Sequence, residues 1–262
     1  MSGAKVILDG LVMGESVRWH DGRLWFCDWG AGQIVRLSSS QQAGVVARVD
    51  DFPFCIDWQP DGRLLVITGT GALLRTAADG TLSPWVTLPA PHPWNDITVD
   101  SHGNVYVNNI GYAFGVDEPG PGTISVVTPA GAAREVAGDL AFPNGMAVLG
   151  ETLVVAESHA ACLTAFDLTA DGTLSNRRVW AAVDGSAPDG IFPDASGAVW
   201  YADVPNKRCV LVREGGEVLR EIPYEQGAFD CAVGDGVLYT VTATYPSDSP
   251  TGQLVAVDLV GR

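Results

Sequence analysis

The sequence predicts an all-β fold, a six-bladed β-propeller with four-stranded antiparallel blades, and three observations lead to it. A phrase recurs six times: an apolar stretch, a polar turn that ends in glycine, and a longer β-rich stretch. Each repeat continues with more alternating segments, and helical periodicity is absent between them. The turn glycines recur at intervals of 40, 41, 47, 47 and 39 residues; they are Gly22, Gly62, Gly103, Gly150, Gly197 and Gly236. Four short strands in about 40–47 residues are typical of a propeller blade.

Each repeat opens with a predicted hairpin, because Asp, Asn and Gly between two apolar runs are typical of tight turns. In chain order the hairpins are "VRWHDGRLWFCD", "IDWQPDGRLLVIT", "ITVDSHGNVYVNN", "MAVLGETLVVAE", "IFPDASGAVWYAD" and "AVGDGVLYTV". Third strands are predicted in "GQIVRLS", "GTISVVTP", "CLTAFDL", "CVLVRE" and "GQLVAVDL". Fourth strands are predicted in "GVVARVD", "REVAG", "RRVWAAV" and "EVLREIPY".

The two ends of the chain are predicted to form one blade together. The sixth repeat stops at "LVAVDLVGR" without a fourth strand, and the N-terminal segment "KVILDG", residues 5–10, can supply it. Pairing of these ends would close the ring, so we predict one domain over residues 1–262. A pair of stacked β-sandwiches is the rival that chain length alone favours. The regular repeat favours the propeller.

The charge and cysteine content exclude several classes of partner. The 262 residues include 15 Lys and Arg against 31 Asp and Glu, a formal net charge of −16, so a nucleic acid or an anionic membrane would be repelled. The five cysteines are widely spaced and form no C-x-x-C pair, which favours reduced thiols in the cytoplasm over disulfides or a zinc-thiolate site. No window of ~18 apolar residues indicates a membrane span. We expect a cytoplasmic monomer or weak homodimer that acts on a small molecule.

A ring of oxygen-bearing side chains is predicted at one mouth of the channel. In a propeller the first strand of each blade lines the channel, so the residues just before these strands meet around the axis. Blades one, three, four and five place Glu15, Asn95, Asn144 and Asp189 there, blade two places Phe54 and Cys55, and blade six has Asp230 nearby. Converging carboxylates and amides would repel or lack partners without a cation, and a divalent metal ion meets this need. "PNG" and "PDG" are also common turn sequences, but four such positions together favour the metal site.

Two aspartates of the fifth repeat, Asp189 and Asp194, receive different predictions. Asp194 lies in "PDASG", where an Asp before Gly shapes a hairpin turn. Asp189 lies in the ring, where no hairpin turn accounts for it. We therefore predict a chemical role for Asp189 and a turn role for Asp194.

Four segments resemble, in order and spacing, the family of regucalcin, gluconolactonase and luciferin-regenerating-enzyme-like proteins: "GESVRW", "WNDITVDSHGNVYV", "PNGMAV" and "PDGIFPDASGAVWYADV". The resemblance spans nearly the whole chain. It implies a six-bladed propeller with one divalent ion at the channel mouth and, for the better-known members, hydrolysis of sugar lactones; the related diisopropyl-fluorophosphatase propellers hydrolyse phosphorus esters with a similar ring. It makes Glu15, Asn144 and Asp189 the metal ligands, places Asn95 near the ion or a metal-bound water, and makes Asp189 the candidate general base. All-oxygen ligands suit Ca²⁺, Mg²⁺ or Mn²⁺, and carboxylates also hold Zn²⁺ or Fe²⁺.

The chain departs from this family at one position. Its lactonases typically carry an Arg two positions before the third-blade Asn, where it contacts sugar hydroxyls, and Pro93 stands there in this sequence. We therefore expect a more aromatic pocket and a less polar lactone or ester. The insertion "GYAFGVDEPGPG" is expected to cover the mouth as a lid. The candidate substrate-binding residues are Asn95, Trp94, His92, Phe54, Cys55, Asn109, Tyr112 and His159.

The sequence thus predicts a metal-dependent lactonase or esterase-type hydrolase, with Asp189 and Asn95 as catalytic candidates. A carboxylate would accept a proton from the attacking water, although a metal-bound carboxylate is a weak base. A serine hydrolase is disfavoured because the G-x-S-x-G elbow is absent. Two alternatives stay open: a propeller that uses the ion only to brace the channel while it binds a small ligand or partner, and isomerase or lyase chemistry on a metal-bound carbonyl.

Overall fold

A computed structural model describes residues 3–247 and 249–259. Within these residues, 24 β-strands form six four-stranded antiparallel sheets, the blades of a six-bladed propeller. The predicted fold class is therefore confirmed. Residues 1, 2, 248 and 260–262 of the predicted domain lie outside the described part. None of the described residues belongs to a helix with the length and hydropathy needed to cross a membrane.

The strands follow the order of the repeats. Blade 1 comprises β2 (Gly14–His20), β3 (Arg23–Asp28), β4 (Gln33–Leu37) and β5 (Ala43–Arg48). Blade 2 comprises β6 (Phe54–Trp58), β7 (Leu64–Thr68), β8 (Ala72–Thr76) and β9 (Leu82–Thr87). Blade 3 comprises β10 (Trp94–Val99), β11 (Val105–Asn109), β12 (Gly122–Val127) and β13 (Ala133–Leu140).

The remaining blades show the same order from the channel outward. Blade 4 comprises β14 (Pro143–Leu149), β15 (Thr152–Glu157), β16 (Cys162–Leu168) and β17 (Leu174–Ala182). Blade 5 comprises β18 (Pro188–Pro193), β19 (Val199–Asp203), β20 (Arg208–Val212) and β21 (Val218–Pro223). Blade 6 comprises β22 (Gly227–Gly234), β23 (Val237–Ala243), β24 (Gly252–Asp258) and the N-terminal strand β1 (Lys5–Leu11).

The N-terminal strand closes the ring as the sequence predicts. Strand β1 pairs antiparallel with β24, from Lys5 opposite Ala256 to Leu11 opposite Gly252. Its apolar side chains, which include Leu8, pack against the core between blades 6 and 1. Blade 6 therefore combines three strands from the C-terminal part of the chain with one from the N-terminal part.

The hairpin turns explain the recurring glycines. All six turn glycines have a positive φ, between 61° and 84°. At Asp21–Gly22 and Asp235–Gly236 both residues have positive φ. This is the type I′ turn that Asp-Gly favours, and its twist matches that of the flanking strands.

The core lies between the blades. Among the described residues, each pair of neighbouring blades, including blades 6 and 1, packs together through one cluster of buried apolar side chains. Trp200, Tyr106 and Tyr201 are the largest of the fully buried side chains. All five cysteines are buried and free. The closed ring of six clusters holds the innermost strands around the central channel.

One strand escapes the sequence pattern. The fourth strand of blade 2, β9, contains Pro84 and shows no clear alternation of apolar residues. Proline cannot donate to a sheet ladder, but an outermost strand has one edge that needs no partner. The position of β9 at the edge of its sheet therefore tolerates Pro84.

Candidate metal centre at the channel mouth

The innermost strands of the blades present their early residues at one end of the channel. Glu15, Cys55, Asn95, Asn144 and Asp189 are each the second residue of their strand. The sequence placed them just before the strands, so the structure extends each strand by two residues into the ring. In blade 6 the equivalent residue is Ala228, and Asp230 lies deeper in the channel.

A β-bulge accompanies the ring in five blades. Pairing of the first two strands shifts register after Glu15, Trp94, Pro143, Pro188 and Ala228. In blade 2, which contributes a thiol instead of an oxygen, the register is regular from Phe54 to Trp58. Bulges redirect side chains and are frequent beside active sites. The bulges therefore account for the way the oxygen-bearing side chains turn toward the axis.

Four of the five ring residues line a small cavity, and in blade 5 the lining residue is Gly190, next to Asp189. Glu15, Cys55, Asn95 and Asn144 line it together with residues of the next layer, and its volume is about 10 Å³. That is close to the space a single water molecule needs. A single ion suits this space, whereas an organic substrate would have to bind above it.

Hydrogen bonds fix the two amides of the ring. Asn95 Nδ2 donates to Asn144 Oδ1 at 3.1 Å, and Asn144 Nδ2 lies 3.4 Å from Ser158 Oγ. Ser158 Oγ donates to the Pro188 carbonyl at 2.7 Å, beside Asp189. An amide oxygen has two lone pairs, so Asn144 Oδ1 keeps one that Asn95 does not use.

The two carboxylates of the ring repel each other. Burial raises the pKa of Glu15 well above its ordinary value, and the charges of Asp189 and Asp230 raise it further. Burial, Asp230 and Asp96 likewise raise the pKa of Asp189 well above its ordinary value. Neither carboxylate forms an ion pair with any described residue.

Arg18 lies one layer deeper and neutralises two other acids. Its Nη2 lies 2.9 Å from Asp96 Oδ1 and its Nη1 lies 3.2 Å from Asp230 Oδ2. Burial alone would lower the pKa of Arg18, but the charges of Asp96 and Asp230 outweigh burial and raise it. The second oxygens are also occupied, because Met146 N donates to Asp96 Oδ2 and the Cys231 N–H donates to Asp230 Oδ1. These two acids therefore have a cationic partner within the protein, whereas Glu15 and Asp189 have hydrogen bonds from Ser16 and Asn144 but no cation among the described residues.

The donor set fits a hard divalent cation. Among the described residues, no three His, Cys, Asp or Glu side chains converge on one point, so any ion here needs the amide oxygen of Asn144 beside the carboxylates of Glu15 and Asp189. Carboxylate and amide oxygens are ligands of Ca²⁺, Mg²⁺ and Mn²⁺. Burial raises the pKa of Cys55 well above its ordinary value, which keeps this neighbour a neutral thiol and disfavours a thiolate-bound ion.

An aromatic group borders the mouth on the side of blades 3 and 4. The rings of Tyr112 and Phe142 are 6.0 Å apart, those of Phe114 and Phe142 5.7 Å, and those of Phe142 and His159 4.7 Å. Phe142 lies two residues before Asn144 and has φ 59°, which is rare for a bulky residue and is often found at functional sites. The Tyr112 hydroxyl is buried without a hydrogen-bond partner. We call these four side chains the aromatic shelf.

Several predicted substrate-binding residues have other surroundings. Phe54 and Trp94 are buried in the cores on either side of blade 2, and the Trp94 indole N–H donates to the Pro89 carbonyl. Asn109 is engaged within blade 3 by Thr123 and Gly111. His92 is half-buried in the loop before β10, outside the residues that line the cavity.

Trp29 is an aromatic wall residue that the sequence analysis did not identify. It lines the cavity, and its indole N–H donates to the Phe54 carbonyl. Its ring meets that of Phe52 edge to face at 5.3 Å. The signal that could have found it is its place immediately after β3, whose end pairs with Gly14 and Glu15 at the mouth.

Comparison with known proteins agrees with this architecture. Residues 13–244 match the family described as the SMP-30/gluconolactonase/LRE-like region. The fold is similar to that of luciferin-regenerating enzyme, with a TM-score of 0.86, 18% identity, and coverage of 100% of this chain and 96% of that one. A gluconolactonase from Xanthomonas campestris has a TM-score of 0.81 and 21% identity, with 97% and 89% covered. Regucalcin from Agrobacterium tumefaciens, described as a calcium-binding protein, has a TM-score of 0.81 and 18% identity, with 100% and 96% covered. At these identities the likeness concerns the fold.

Proposed function

The chain belongs to the SMP-30/gluconolactonase/LRE-like family, and on that premise we propose that it is a divalent-metal-dependent hydrolase of a lactone or related small cyclic ester. One observation carries the proposal. Glu15 is buried and Asp189 half-buried, each raises the electrostatic cost of charging the ring, and neither has a cationic partner among the described residues, although Arg18 pairs with the two acids directly beneath. Buried carboxylates of this kind are costly unless a cation is bound.

Three residues would hold the ion: Glu15, Asn144 and Asp189, with Asn95 beside it. A divalent ion bound there supplies Lewis-acid stabilisation of the negative charge that develops on the ester carbonyl oxygen. Asn95 holds Asn144 in position through its amide hydrogen bond. Ser158 supports the same amide from the other side.

Asp189 is the proposed general base. Its carboxylate would accept a proton from the water that attacks the carbonyl carbon, and the proton would pass to the ring oxygen when the C–O bond breaks. Burial favours proton uptake by Asp189, whereas a bound cation opposes it. Asp96 and Asp230 are poorer candidates, because hydrogen-bond donors already occupy both oxygens of each carboxylate.

The proposed substrate is a lactone with an apolar substituent. Pro93 offers no hydrogen-bond donor to a sugar hydroxyl. The aromatic shelf and Trp29 supply apolar surface on two sides of the mouth. A site without matched polar groups selects poorly for polyhydroxylated rings.

The test is hydrolysis of a panel of sugar, alkyl and aryl lactones. Protein stripped of metal would be assayed alone and after addition of Ca²⁺, Mg²⁺, Mn²⁺, Zn²⁺ or Fe²⁺. We expect hydrolysis only with a divalent ion, and loss of hydrolysis in Glu15→Gln, which removes one charge from the ring and keeps its size. Activity that survives exhaustive chelation would overturn the metal dependence.

A binding measurement separates the alternatives. An ion that binds tightly in wild type and not in Glu15→Gln, with no turnover of any lactone, would favour the propeller that is only braced by metal. Conversion of a lactone without uptake of water would favour isomerase or lyase chemistry. Either result would contradict the proposed hydrolase.

A further inference from the structure

A second cavity lies at the opposite end of the channel from the metal centre. It has a volume of about 190 Å³ and is lined by the late residues of the first strands of blades 1 to 5. The early residues of the same strands line the metal centre. From Glu15 to His20 the strand covers about 16 Å, since a strand rises about 3.3 Å per residue. We call this cavity the distal pocket.

Arg18 closes the floor of the distal pocket. Arg18 lines the pocket, and its guanidinium is held by Asp96 and Asp230. It therefore lies between the metal centre and the distal pocket. A ligand in one of the two would not enter the other without breaking this buried ion-pair network.

The walls of the distal pocket are largely aromatic and aliphatic. Trp19, Trp58, Val99 and Phe192 all contribute. The Trp58 ring is stacked on that of His20 at 4.1 Å with an angle of 8° between their planes. Burial lowers the pKa of His20, so this ring adds no cationic charge at neutral pH.

One carboxylate in the wall lacks a cation of its own. Asp57 lines the distal pocket and accepts a hydrogen bond from the Trp58 N–H at 2.8 Å, but it forms no ion pair with any described residue. Arg18 attracts Asp57 from a distance, yet its contacts are with Asp96 and Asp230. One buried guanidinium thus serves three carboxylates, and the local charge is negative.

We propose that the distal pocket binds a small organic cation, an ammonium group on an aromatic or alkyl body, with the ammonium on Asp57 and the apolar body against Trp58, Val99 and Phe192. The size fits, because a cavity of about 150 Å³ holds benzene. The net charge of −16 also attracts cations to the molecule as a whole.

Other ligand classes fit the distal pocket less well. An anion would be repelled by Asp57, and Arg18 already has two carboxylate partners. A bare metal ion would find a single carboxylate among apolar walls, whereas Ca²⁺ takes about 6–8 oxygen ligands. A neutral apolar molecule would leave Asp57 uncompensated. The cation is the class that satisfies both the walls and the charge.

The experiment is a calorimetric titration of the full chain with benzylammonium and, as its neutral counterpart, benzyl alcohol. We expect benzylammonium to bind with a Kd of ~1 mM or tighter and benzyl alcohol to bind at least ~10-fold more weakly. Quenching of tryptophan fluorescence provides a second signal, since Trp19 and Trp58 line the pocket. Binding should persist after chelation of divalent ions, because the metal centre lies at the other mouth.

Two variants with the same change of net charge locate the site. Asp57→Asn should weaken benzylammonium binding at least ~10-fold. Asp21→Asn is the control, since Asp21 lies at the same end of the channel beside His20 but outside the pocket, and it should leave binding unchanged. Val99→Lys, which would place an ammonium inside the pocket, should abolish binding independently.

Four results would overturn the proposal. They are no binding of benzylammonium, equal affinity for benzyl alcohol, the same benzylammonium affinity in Asp57→Asn as in Asp21→Asn, and loss of benzylammonium binding on chelation.

Discussion

Asp189 lies near the start of strand β18 in blade 5, Asp194 directly follows the strand, and the two have different surroundings. Asp189 faces the charges of Asp230, Asp96 and Glu15. Asp194 Oδ1 accepts a hydrogen bond from the Ser196 N–H at 2.8 Å and shapes the hairpin turn. We predict that Asp189→Asn lowers kcat/KM for a lactone by ~100-fold or more, because it removes a ring charge. Asp194→Ala should cost only roughly 1 kcal/mol of stability and leave turnover per folded molecule unchanged.

Lactone kinetics and thermal unfolding of both variants test this pair of predictions. The two residues are about 16 Å apart along the strand. Asp194 is therefore too far from the ring for Asp194→Ala to affect catalysis by contact. A loss of activity in Asp194→Ala, or full activity in Asp189→Asn, would contradict the roles assigned to the two residues.

Asp57 makes the stability of the fold depend on pH in a defined direction. Burial raises the pKa of Asp57 from 3.8 to about 6. The unfolded chain therefore loses this proton first, and stability falls as pH rises from about 4 to 6. Asp57→Asn removes the effect, so the variant should be more stable than wild type at pH 8 by about 1–3 kcal/mol and equal to it near pH 3.5. Denaturant unfolding at the two pH values measures the difference in free energy of unfolding between variant and wild type. The same difference at both pH values would contradict the raised pKa of Asp57.

The sequence could group the ring residues but not show the surroundings of their neighbours, for a reason of strand geometry. Glu15, Asn95, Asn144 and Asp189 were assigned to the ring because equivalent positions of a repeat meet on one axis. Phe54 and Trp94 were assigned to the pocket by adjacency alone, yet neighbours in a strand point to opposite sides. The ion pairs of Arg18 could not be predicted, because its partners Asp96 and Asp230 are distant in sequence and no local pattern indicates them.

At the scale of elements, bulges and one insertion build the site. Four of the five bulged hairpins carry the oxygen-bearing ring residues. The loop between β11 and β12 brings Tyr112 and Phe114 beside Phe142. The sequence identified the insertion by its length and its glycines. It could not show that Phe142, from a different blade, completes the same aromatic group.

The insertion offers a matched pair of exposed apolar side chains for a test of substrate preference. Phe114 is 58% exposed and belongs to the aromatic shelf, whereas Val116 is 83% exposed. We predict that Phe114→Ala raises KM for an aryl lactone about fivefold, with kcat nearly unchanged, because it removes about 1 kcal/mol of apolar contact. Val116→Ala should leave both constants as in wild type.

Wild-type specificity provides the reference for this comparison. We expect kcat/KM to be higher on an alkyl or aryl lactone than on gluconolactone with the same ion. If sugar lactones are at least ~10-fold better than every apolar lactone, another residue has taken over the role of the missing arginine at Pro93.

At the scale of the whole molecule, the repeat period was sufficient to predict six blades and the closure by residues 5–10. Each blade is one hairpin-rich unit that cannot bury its faces alone, so the period in the sequence becomes the period of the ring. Strand β9 was the exception, because edge strands need little alternation and tolerate Pro84.

The ring also predicts how the ion should affect global stability. Glu15, Asn144 and Asp189 come from blades 1, 4 and 5, so an ion bound to all three would link distant parts of the closed propeller. At an ion concentration of 100 times Kd, binding to the folded state stabilises it by about 2.7 kcal/mol. For a chain of this size that corresponds to a rise in Tm of roughly 5–10 °C.

The order of the Tm values of Glu15→Gln and wild type should reverse when the ion is removed. Without ions, the variant should have the higher Tm, because it lacks one of the two carboxylates that repel each other in the ring. With saturating ions, wild type should have the higher Tm, because only its ring offers both carboxylates to the cation. Calorimetry of both proteins with and without chelator gives the four values required. Parallel shifts in the two proteins would mean that any stabilising ion binds elsewhere, and the assignment of Glu15 as a metal ligand would then be wrong.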